Sequence, residues 1–489
     1  MEKNIESGVA HDETVAKEEH EIAPSPVSSE LDYEYLTDKT LNKSIVKKID
    51  LRVLPLCCWI YLLNYLDRGN VGNAKVLNQE TGDDLLQQTH MSATGYAVAV
   101  SLFSVAYTIF EVPSNMVMKR WVRPSLWLGF LLFGWGVLTM GFAGVHNYAT
   151  VVVLRFLIGA FEAGFFPGIV YFITMWYRVQ ERSLRIAFVV AHANLAGAFG
   201  GAIAYGFGEI NGSNGLQGFR WLFIVEGLIT ALCCLLVILF LPDYPSRARW
   251  LTEDDKKYAE DRLKIHGGGY TKTHATWKEI RETCFSPRML LHYLIYILDC
   301  VPLGSFTFFT PTLVTGLGYK SLEAQLLTIP PWVCGYTMAL VLSFSADHFN
   351  ARGWHVAIGS VLGGAGWLTA AALPHDMYTA RYGALVLAAC GAFPVSAPLS
   401  AWVTCNVPSL TTMFIATALN NSCAGVSQVI AQWIWKPDEA AIGYPTGNYM
   451  CAGCSFAVAI LSVVLRLWYG RMNKHGVPDA SGNKREWLL

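Results

Sequence analysis

Long apolar segments recur along the chain from Leu51 onward. Each is about 20 residues long, which is the length that an α-helix needs to cross the hydrocarbon core of a bilayer. We count twelve of them, at roughly 52–74, 95–118, 125–145, 150–175, 183–208, 220–241, 290–313, 325–346, 354–374, 380–403, 411–434 and 449–470. The pattern predicts an all-α membrane protein with twelve transmembrane helices in two six-helix halves.

Polar stretches divide the chain into regions. Residues 1–45 are rich in acidic side chains and contain no apolar run, which is typical of a disordered cytosolic tail and unlike a signal peptide. We expect the six-helix halves at 46–241 and 290–470, joined by a charged cytosolic linker at 242–289. A second cytosolic tail is expected at 471–489.

Basic residues are distributed unevenly between the two sides of the predicted bundle. With the start of the chain inside, most of the 36 lysines and arginines fall in segments on the inner side. The positive-inside rule then makes both termini cytosolic. We expect a multi-pass protein of the plasma membrane, with the vacuolar membrane as the alternative.

Composition removes several classes of protein. Hydrophobic residues make up 53% of the chain and charged residues 15%, the mean hydropathy is +0.34 and the net charge is −1. A soluble protein has about a quarter charged residues, so this chain is too poor in charge for that class. A nucleic-acid-binding protein carries a basic patch, and a net charge of −1 argues against that class as well. Most of the 12 cysteines lie inside apolar runs, where a thiol acts as a small apolar side chain. We expect no metal site, no cofactor and no nucleic-acid partner.

Sequence motifs typical of enzymes are missing as well. The chain has no His-x-x-x-His, no Gly-x-Ser-x-Gly and no P-loop. We therefore expect a protein that is not an enzyme. Its expected partners are the lipid bilayer and a small molecule, and we expect a monomer.

A faint internal repeat links the two halves. Asp67 in the first span and Asp299 in the seventh are 232 residues apart. Arg120 and Arg352, which follow the second and eighth spans, have the same separation. Secondary transporters are commonly built from related halves. The layout and the repeat together favour a secondary transporter.

Ionisable side chains inside a bilayer cost several kcal/mol unless they are paired or face a wet cavity, so each is a candidate functional residue. They are Asp67, Arg68, Glu111, Arg155, Glu162, His192, Glu226 and Asp299. At 1.5 Å per residue, Asp67 lies ~22 Å from the inner end of its helix, whereas Arg155 and Glu162 lie ~8 and ~18 Å from the outer end of theirs. These depths predict a shared cavity for the acids and arginines of the first and fourth spans, in which Asp67 and Glu162 compensate the two arginines.

Several of these residues have a structural alternative. For Asp67 and Glu162 it is an ion pair that locks helices together. Glu226 lies near Arg220 at the outer end of its span, which favours a structural role. Glu111 lies near the inner end of the second span, where we expect a role in structure or gating.

Further polar residues in the spans are candidate substrate contacts. His192, near the middle of the fifth span, is either a satisfied core donor or a contact that selects the substrate. Asn420 and Asn421 in the eleventh span are either donors in a pocket or partners in interhelical hydrogen bonds. Asp299 is either a polar anchor of the second half or a functional acid.

Four motifs resemble those of one transporter family. Residues 64–68 read Asn-Tyr-Leu-Asp-Arg, residues 110–115 read Phe-Glu-Val-Pro-Ser-Asn, residues 155–168 contain Gly-Ala-Phe-Glu-Ala-Gly, and residues 221–227 read Trp-Leu-Phe-Ile-Val-Glu-Gly. Together they resemble the anion:cation symporters of the major facilitator superfamily, and in particular their fungal allantoate-permease branch. The resemblance extends from about residue 45 to residue 470.

The resemblance implies proton-coupled import of a small organic anion, such as allantoate, nicotinate, pantothenate or biotin, across a fungal membrane. It also implies that Asp67 and Glu162 match the proton-sensitive acids of the family, and that Arg68 and Arg155 match its anion-facing bases. The substrate contacts that we expect are Arg68, Arg155, Asn64, Tyr65, His192, Asn420 and Asn421.

The chain also departs from the pattern of that branch. After the tenth span, Trp402 and Asn406 are present, but the usual Lys-Arg pair is missing. After the eighth span, Asp347 is followed by histidine where arginine is usual, although Arg352 persists. We expect Arg120, Asp347 and Arg352 to act in structure or gating. These departures leave the particular anion open.

Two other functions remain open on this sequence. The first is an efflux carrier for a secondary metabolite, but drug:proton antiporters of the superfamily carry a Gly-Pro pair in the fifth span. Residues 196–201 contain the glycines without the proline, which favours symport. The second is a nutrient receptor that has the same fold and does not transport.

One glycosylation sequon falls in a predicted outer loop. Asn211 begins an Asn-Gly-Ser sequence between the fifth and sixth spans. The loop is short, so the alternative is that the membrane blocks access to Asn211 and leaves it unmodified. We include Asn211 as a candidate glycosylation site.

Overall fold

The structure is built from α-helices. The computed structural model describes residues 39–265, 276–319, 321–349, 351–407, 410–476 and 487–488, and within them all regular secondary structure is helical. The α-helices are α1 (Lys39–Arg52), α2 (Leu54–Val76), α3 (Leu85–Gln88), α4 (Ala93–Arg120), α5 (Pro124–Gly141), α6 (Tyr148–Glu162), α7 (Phe165–Thr174), α8 (Val179–Glu209), α9 (Gly218–Phe240), α10 (Glu253–Ile265), α11 (Trp277–Cys284), α12 (Pro287–Thr315), α13 (Ser321–Leu327), α14 (Ile329–His348), α15 (Arg352–Ala372), α16 (Tyr378–Ala392), α17 (Ser396–Cys405), α18 (Leu410–Trp433) and α19 (Pro445–His475). Most of the acidic tail predicted at 1–45 lies outside the described residues.

Eleven helical segments in the described part of the chain are long and apolar enough to cross a membrane. They coincide with eleven of the twelve predicted spans, which confirms the all-α membrane class. The remaining predicted span, 411–434, forms the 24-residue helix α18, which is not among the eleven. The polar side chains of Asn420, Asn421, Gln428 and Gln432 make this helix less apolar than the pattern predicted.

A capping residue sets where α6 begins. The side chain of Asn147 accepts a hydrogen bond from the main-chain N–H of Thr150 at 2.9 Å, so α6 begins at Tyr148. Because seven residues are about two helical turns, this start places Arg155 and Glu162 on the same face of α6.

The fourth and tenth predicted spans are each locally distorted near their middle, where the helical hydrogen-bond pattern is interrupted while Ala163, Gly164, Phe393 and Val395 keep helical backbone angles. The fourth consists of α6 with 15 residues and α7 with 10, and the tenth consists of α16 with 15 residues and α17 with 10. The equal lengths extend the internal repeat seen in the sequence. Glu162 is the last residue of α6, so this candidate acid lies directly at the distortion.

Two groups of helices pack side by side. In the N-terminal bundle, α9 packs against α5, α4 against α6 and α2 against α8; in the C-terminal bundle, α15 packs against α19 and α16, and α12 against α18. The two bundles contact each other through α2 with α12, α4 with α18 and α8 with α14. We call the end of the molecule that carries α10 and α11 the linker face, and the other end the opposite face.

Glycines allow the two bundles to touch near the opposite face. A Cβ atom at Gly72 of α2 would lie 2.7 Å from the carbonyl oxygen of Phe308, and one at Gly201 of α8 would lie 2.5 Å from that of Gln325. Both distances are shorter than a van der Waals contact permits, so only glycine fits. The side chain of Gln325 also donates a hydrogen bond to the main-chain oxygen of Asn73 at 3.3 Å. The molecule is therefore closed between the bundles at the opposite face.

Candidate functional site

The centre of the N-terminal bundle contains a buried ion pair. The Nε–H of Arg68 donates to Oε1 of Glu162 at 2.7 Å, and both side chains are buried. Asn64 donates to the same carboxylate oxygen. Asn64 and Arg68 are one helical turn apart on α2, so both face α6. This arrangement brings together three of the residues that the sequence singled out.

Aromatic rings enclose the guanidinium group of Arg68. Its Cζ lies 5.3 Å from the ring centre of Tyr65, 5.5 Å from that of Phe103 and 4.7 Å from that of Tyr107. Rings at these distances attract the cation and exclude water from it. Tyr65 was predicted, but Phe103 and Tyr107 of α4 were missed, because an aromatic residue in an apolar helix gives no functional signal in one sequence.

Asp67 faces a different neighbour from Arg68. Its Oδ2 accepts hydrogen bonds from the indole N–H of Trp135 and the hydroxyl of Thr230, both at 3.0 Å. Within the described residues, Asp67 forms no ion pair and its Oδ1 has no hydrogen-bond partner. Asp67 does not pair with its neighbour Arg68, because side chains at adjacent positions of a helix point about 100° apart. Its charge does interact with Arg155, but without a close ion pair.

Glu226 joins Asp67 in a second cluster between α2 and α9. Asn70 of α2 donates to Oε2 of Glu226, which is buried. Arg220 is not its partner, since the guanidinium of Arg220 donates to the main-chain oxygens of Ala143 and Val145. The sequence placed Glu226 beside Arg220, and the structure corrects this assignment. Asp67 and Glu226 are thus two buried acids with no ion pair in the described part of the chain.

Arg155 is a buried base without a carboxylate partner. It is 2% exposed, its guanidinium carbon lies 4.9 Å from the ring centre of Phe142, and its Nε has no hydrogen-bond partner among the described residues. No ion pair of Arg155 is found in that part of the chain, because Glu162, on the same face of α6, pairs with Arg68 instead. Because this buried guanidinium has no close ion pair, it can form hydrogen bonds to an anion.

A cleft between the two bundles adjoins this cluster. Tyr65 and Gly69, which flank Arg68 on α2, both line it. The other lining residues come from both bundles, and they are Leu66, Asn73, Ala193, Ala196, Gly197, Gly200, Thr307, Thr310, Pro311, Thr328 and Trp332. Tyr65 therefore contacts both Arg68 and the cleft, whereas Arg68, Glu162 and Arg155 do not line it. The sequence did not identify the threonines of the C-terminal bundle as candidates.

A model of the Major Facilitator Superfamily matches residues 57–432. The chain belongs to this superfamily. It is 44% identical over 476 residues to the MFS transporter prlL of Fungal sp. (strain NRRL 50135), covering 97% of this chain and 94% of that protein. The chain is therefore a multi-pass membrane transporter.

Solved structures share the fold of this transporter at low identity. One is a bacterial homolog of the human lysosomal transporter Spinster in an inward-facing, unoccupied conformation, with a TM-score of 0.65, 13% identity, and coverage of 88% of this chain and 98% of that one. Another is the D-xylose-proton symporter, with a TM-score of 0.63, 16% identity, and coverage of 88% and 99%. These similarities extend over most of each chain and establish the fold.

Other candidate residues lie apart from the Arg68 cluster. His192 is half-buried, and its Nδ1 lies 2.8 Å from the main-chain oxygen of Phe188 on the same helix. Asn420 is buried with no partner for its Oδ1 among the described residues, and Asn421 is half-buried. Asp299 is buried, and its Oδ2 likewise has no partner there. The structure brings none of these four side chains into contact with Arg68 or Arg155.

The residues expected to act in structure or gating are spread over the transporter. Glu111 is buried on α4, one turn from Tyr107, whereas Arg120 is exposed at the end of the same helix. Arg352 is half-buried at the start of α15. Asp347 lies in α14, and its side chain is outside the described part of the structure.

The predicted glycosylation site is engaged in the folded transporter. The Nδ2 of Asn211, the atom that a glycan would modify, donates to Asp83 at 2.8 Å. Its Oδ1 accepts from the main-chain N–H of Gly218 at 2.9 Å. The observed geometry therefore does not favour modification of Asn211.

The contact at Gly201 gives a prediction about the movement of the bundles. A Gly201→Leu substitution places a side chain against Gln325, so the bundles no longer close at the opposite face. We expect at least a tenfold loss of transport rate per molecule at the cell surface. Gly206→Leu on the same helix is the matched control, since a Cβ there meets nothing within 4 Å. Equal rates for the two variants would show that this closure is not needed.

Proposed function

We propose that this transporter carries a small organic anion together with protons, in the direction of import. The observation that supports the proposal most strongly is that the same bundle buries two bases: Arg155 has no ion pair, and Arg68 has Glu162 as its only ion-pair partner in the described residues. Guanidinium groups remain charged at physiological pH and bind carboxylates through two parallel hydrogen bonds. The motif resemblance to anion:cation symporters points to the same substrate class.

The Arg68–Glu162 pair provides a way to couple the anion to a proton. While Glu162 is charged, it occupies Arg68 and repels an incoming carboxylate. Protonation removes that charge, and Arg68 then binds the carboxylate of the substrate in place of Glu162. The three aromatic rings exclude water from Arg68, so its charge must be compensated by a nearby negative charge. Once Glu162 is neutral, the substrate carboxylate supplies that charge.

Asp67 and Glu226 supply further positions for a proton. Each is buried and has no ion pair in the described residues, and burial away from water disfavours a charged carboxylate that has no cation beside it. Both lie on the side of α2 that faces α9, whereas Arg68 faces α6.

Charge balance fixes the stoichiometry of the proposal. Adding one negative charge to a buried site costs several kcal/mol unless one positive charge enters with it. At Arg68 the substrate carboxylate takes the place of charged Glu162, so the charge of this pair stays unchanged only when one proton neutralises Glu162. We therefore propose one proton for each monovalent anion, which makes transport electroneutral.

The orientation of the transporter is part of the same proposal. Most lysines and arginines outside the spans lie towards the linker face, which supports a cytosolic linker face and cytosolic termini. We propose the plasma membrane as the location. The closed opposite face then corresponds to a state whose cleft is shut towards the outside.

Uptake of labelled carboxylates tests the proposed function. Cells that express the transporter are given a panel of small carboxylates at external pH 5 and pH 7, each with its neutral amide as competitor. We expect saturable uptake of at least one acid, faster at pH 5, and no competition by the amide at concentrations where the acid competes. Equal competition by acid and amide would reject an anionic substrate.

A further inference from the structure

A tryptophan from the end of the chain is buried at the linker face of the C-terminal bundle. Trp487 is 1% exposed although it lies eleven residues beyond Gly476, the residue that caps the end of α19. The guanidinium carbon of Arg288, at the start of α12, lies 3.9 Å from its ring centre. The ring of Tyr469, near the end of α19, stacks on it with centres 5.8 Å apart. The indole therefore occupies a site made by two helices.

Two asparagine side chains bind the main chain of this tail segment. Asn473 donates to the carbonyl oxygen of Trp487 and accepts from its N–H, both at 2.8 Å. Asn406 donates to the carbonyl oxygen of Leu488 at 3.2 Å and accepts from its N–H at 2.9 Å. The indole N–H of Trp402 is a second donor to the oxygen of Leu488, at 2.7 Å. Each amide thus satisfies both main-chain groups of one residue, as a neighbouring strand would.

The bound segment connects three helices. Trp402 and Asn406 belong to α17 and the residue after it, Arg288 to α12, and Tyr469 and Asn473 to α19. The helix α17 has only 10 residues and is separated from α16 by residues 393–395. Leu399 and Trp402 anchor α17 among the neighbouring helices, and its far end contacts the tail segment. The tail segment holds that end.

The N-terminal bundle holds its corresponding piece in a parallel way. The ring of Trp176, directly after α7, stacks on Trp250 of the linker with centres 5.8 Å apart. Its main-chain oxygen accepts from Nη2 of Arg262 on α10 at 2.8 Å. In both bundles, a tryptophan from a segment outside the spans packs at the inner end of the distorted span. Trp250 belongs to the linker, whereas Trp487 lies near the end of the chain, so the similarity of the two arrangements does not come from a repeated sequence.

We propose that the ends of α12, α17 and α19 form a binding site for an extended, tryptophan-anchored peptide, which the transporter fills with its own Trp487 and Leu488. Docking of this peptide restrains α17. The site recognises the indole through Arg288 and Tyr469, and it recognises the backbone through the two asparagines. Release exposes these polar groups to water, which replaces their hydrogen bonds at a small net cost, so docking is reversible.

Hydrogen exchange on the purified full-length transporter tests the restraint. In Trp487→Ala we expect the main-chain amides of 396–407 to exchange at least tenfold faster than in the unchanged chain, while those of α6 and α7 keep their rates. Trp277→Ala is the control, because Trp277 is also outside the spans but is 75% exposed. Unchanged exchange at 396–407 in Trp487→Ala would overturn the proposal.

A peptide added in trans tests the binding site itself. The probe is a synthetic peptide with the sequence of residues 483–489, added to full-length Trp487→Ala. We expect saturable binding that restores slow exchange at 396–407, no binding by a peptide with alanine in place of the tryptophan, and at least tenfold weaker binding to the unchanged transporter.

The second variant combines Asn406→Ala and Asn473→Ala. It should not bind the added peptide, while the main-chain amides of α6 and α7 should exchange as slowly as in the unchanged transporter. Equal binding of the peptide to this variant and to Trp487→Ala would place the peptide elsewhere and reject the site. None of these readouts depends on transport, so they do not bear on the proposed substrate or coupling.

Discussion

Glu162→Gln abolishes accumulation of the substrate against its gradient. Glutamine preserves the shape of the side chain and can still accept a hydrogen bond from Arg68, but it cannot gain or lose a proton. The anion still reaches Arg68, so exchange of internal for external substrate continues. We expect accumulation to fall at least tenfold, to the equilibrium level, with measurable counterflow. The measurement is uptake of the labelled carboxylate under an imposed pH gradient, followed by counterflow without a gradient.

Glu253→Gln is the matched control for this substitution. Glu253 begins α10 at the linker face, and its side chain is 88% exposed, so removal of its charge should change accumulation less than twofold. If the Glu162→Gln transporter concentrates its substrate as well as the Glu253→Gln transporter does, Glu162 does not carry the coupling proton.

Arg155→Met stops transport and stabilises the empty protein. Methionine fills a similar volume without a charge, and the guanidinium that it replaces is buried with no ion pair in the described residues. Replacing a buried charge that has no ion pair by an apolar side chain should raise the free energy of unfolding by about 1 kcal/mol. The substrate loses one of its two bases, so we expect at least a hundredfold loss of transport rate.

Arg68→Met supplies the contrast. It leaves Glu162 buried without its cation, and breaking a buried pair in this way costs about 3–5 kcal/mol. The thermal midpoints of the two variants in detergent should therefore move in opposite directions, although both lose transport. A lower midpoint for Arg155→Met would mean that Arg155 has a structural partner and is not kept for an anion.

The positions of the buried charges were predictable from the sequence, because each one interrupts an apolar run. Arg68 and Glu162 also lie at compatible depths, and the structure brings them together at 2.7 Å. The rotation of one helix relative to another was not predictable. A turn of about 100° separates Asp67 from Arg68, and it directs Asp67 towards Trp135 and Thr230 rather than towards an arginine.

Residues whose role depends on tertiary contacts were the hardest to find. Glu226 stands six positions from Arg220 in the sequence, yet its partner is Asn70 on another helix. The aromatic rings around Arg68 resemble any other apolar positions of α4. Trp487 gave only a weak signal, namely a tryptophan and two leucines after a polar stretch. By contrast, the distortion in the fourth span coincides with Ala163 and Gly164, and glycine is a poor helix former.

The ratio of protons to anions tests the central claim most directly. The purified transporter is placed in liposomes with a pH-sensitive dye, and the labelled monocarboxylate and the proton flux are recorded together at several imposed membrane potentials. We expect one proton for each anion and a rate that does not depend on the potential. Anion entry without proton movement, or a net current that scales with the anion flux, would contradict this claim.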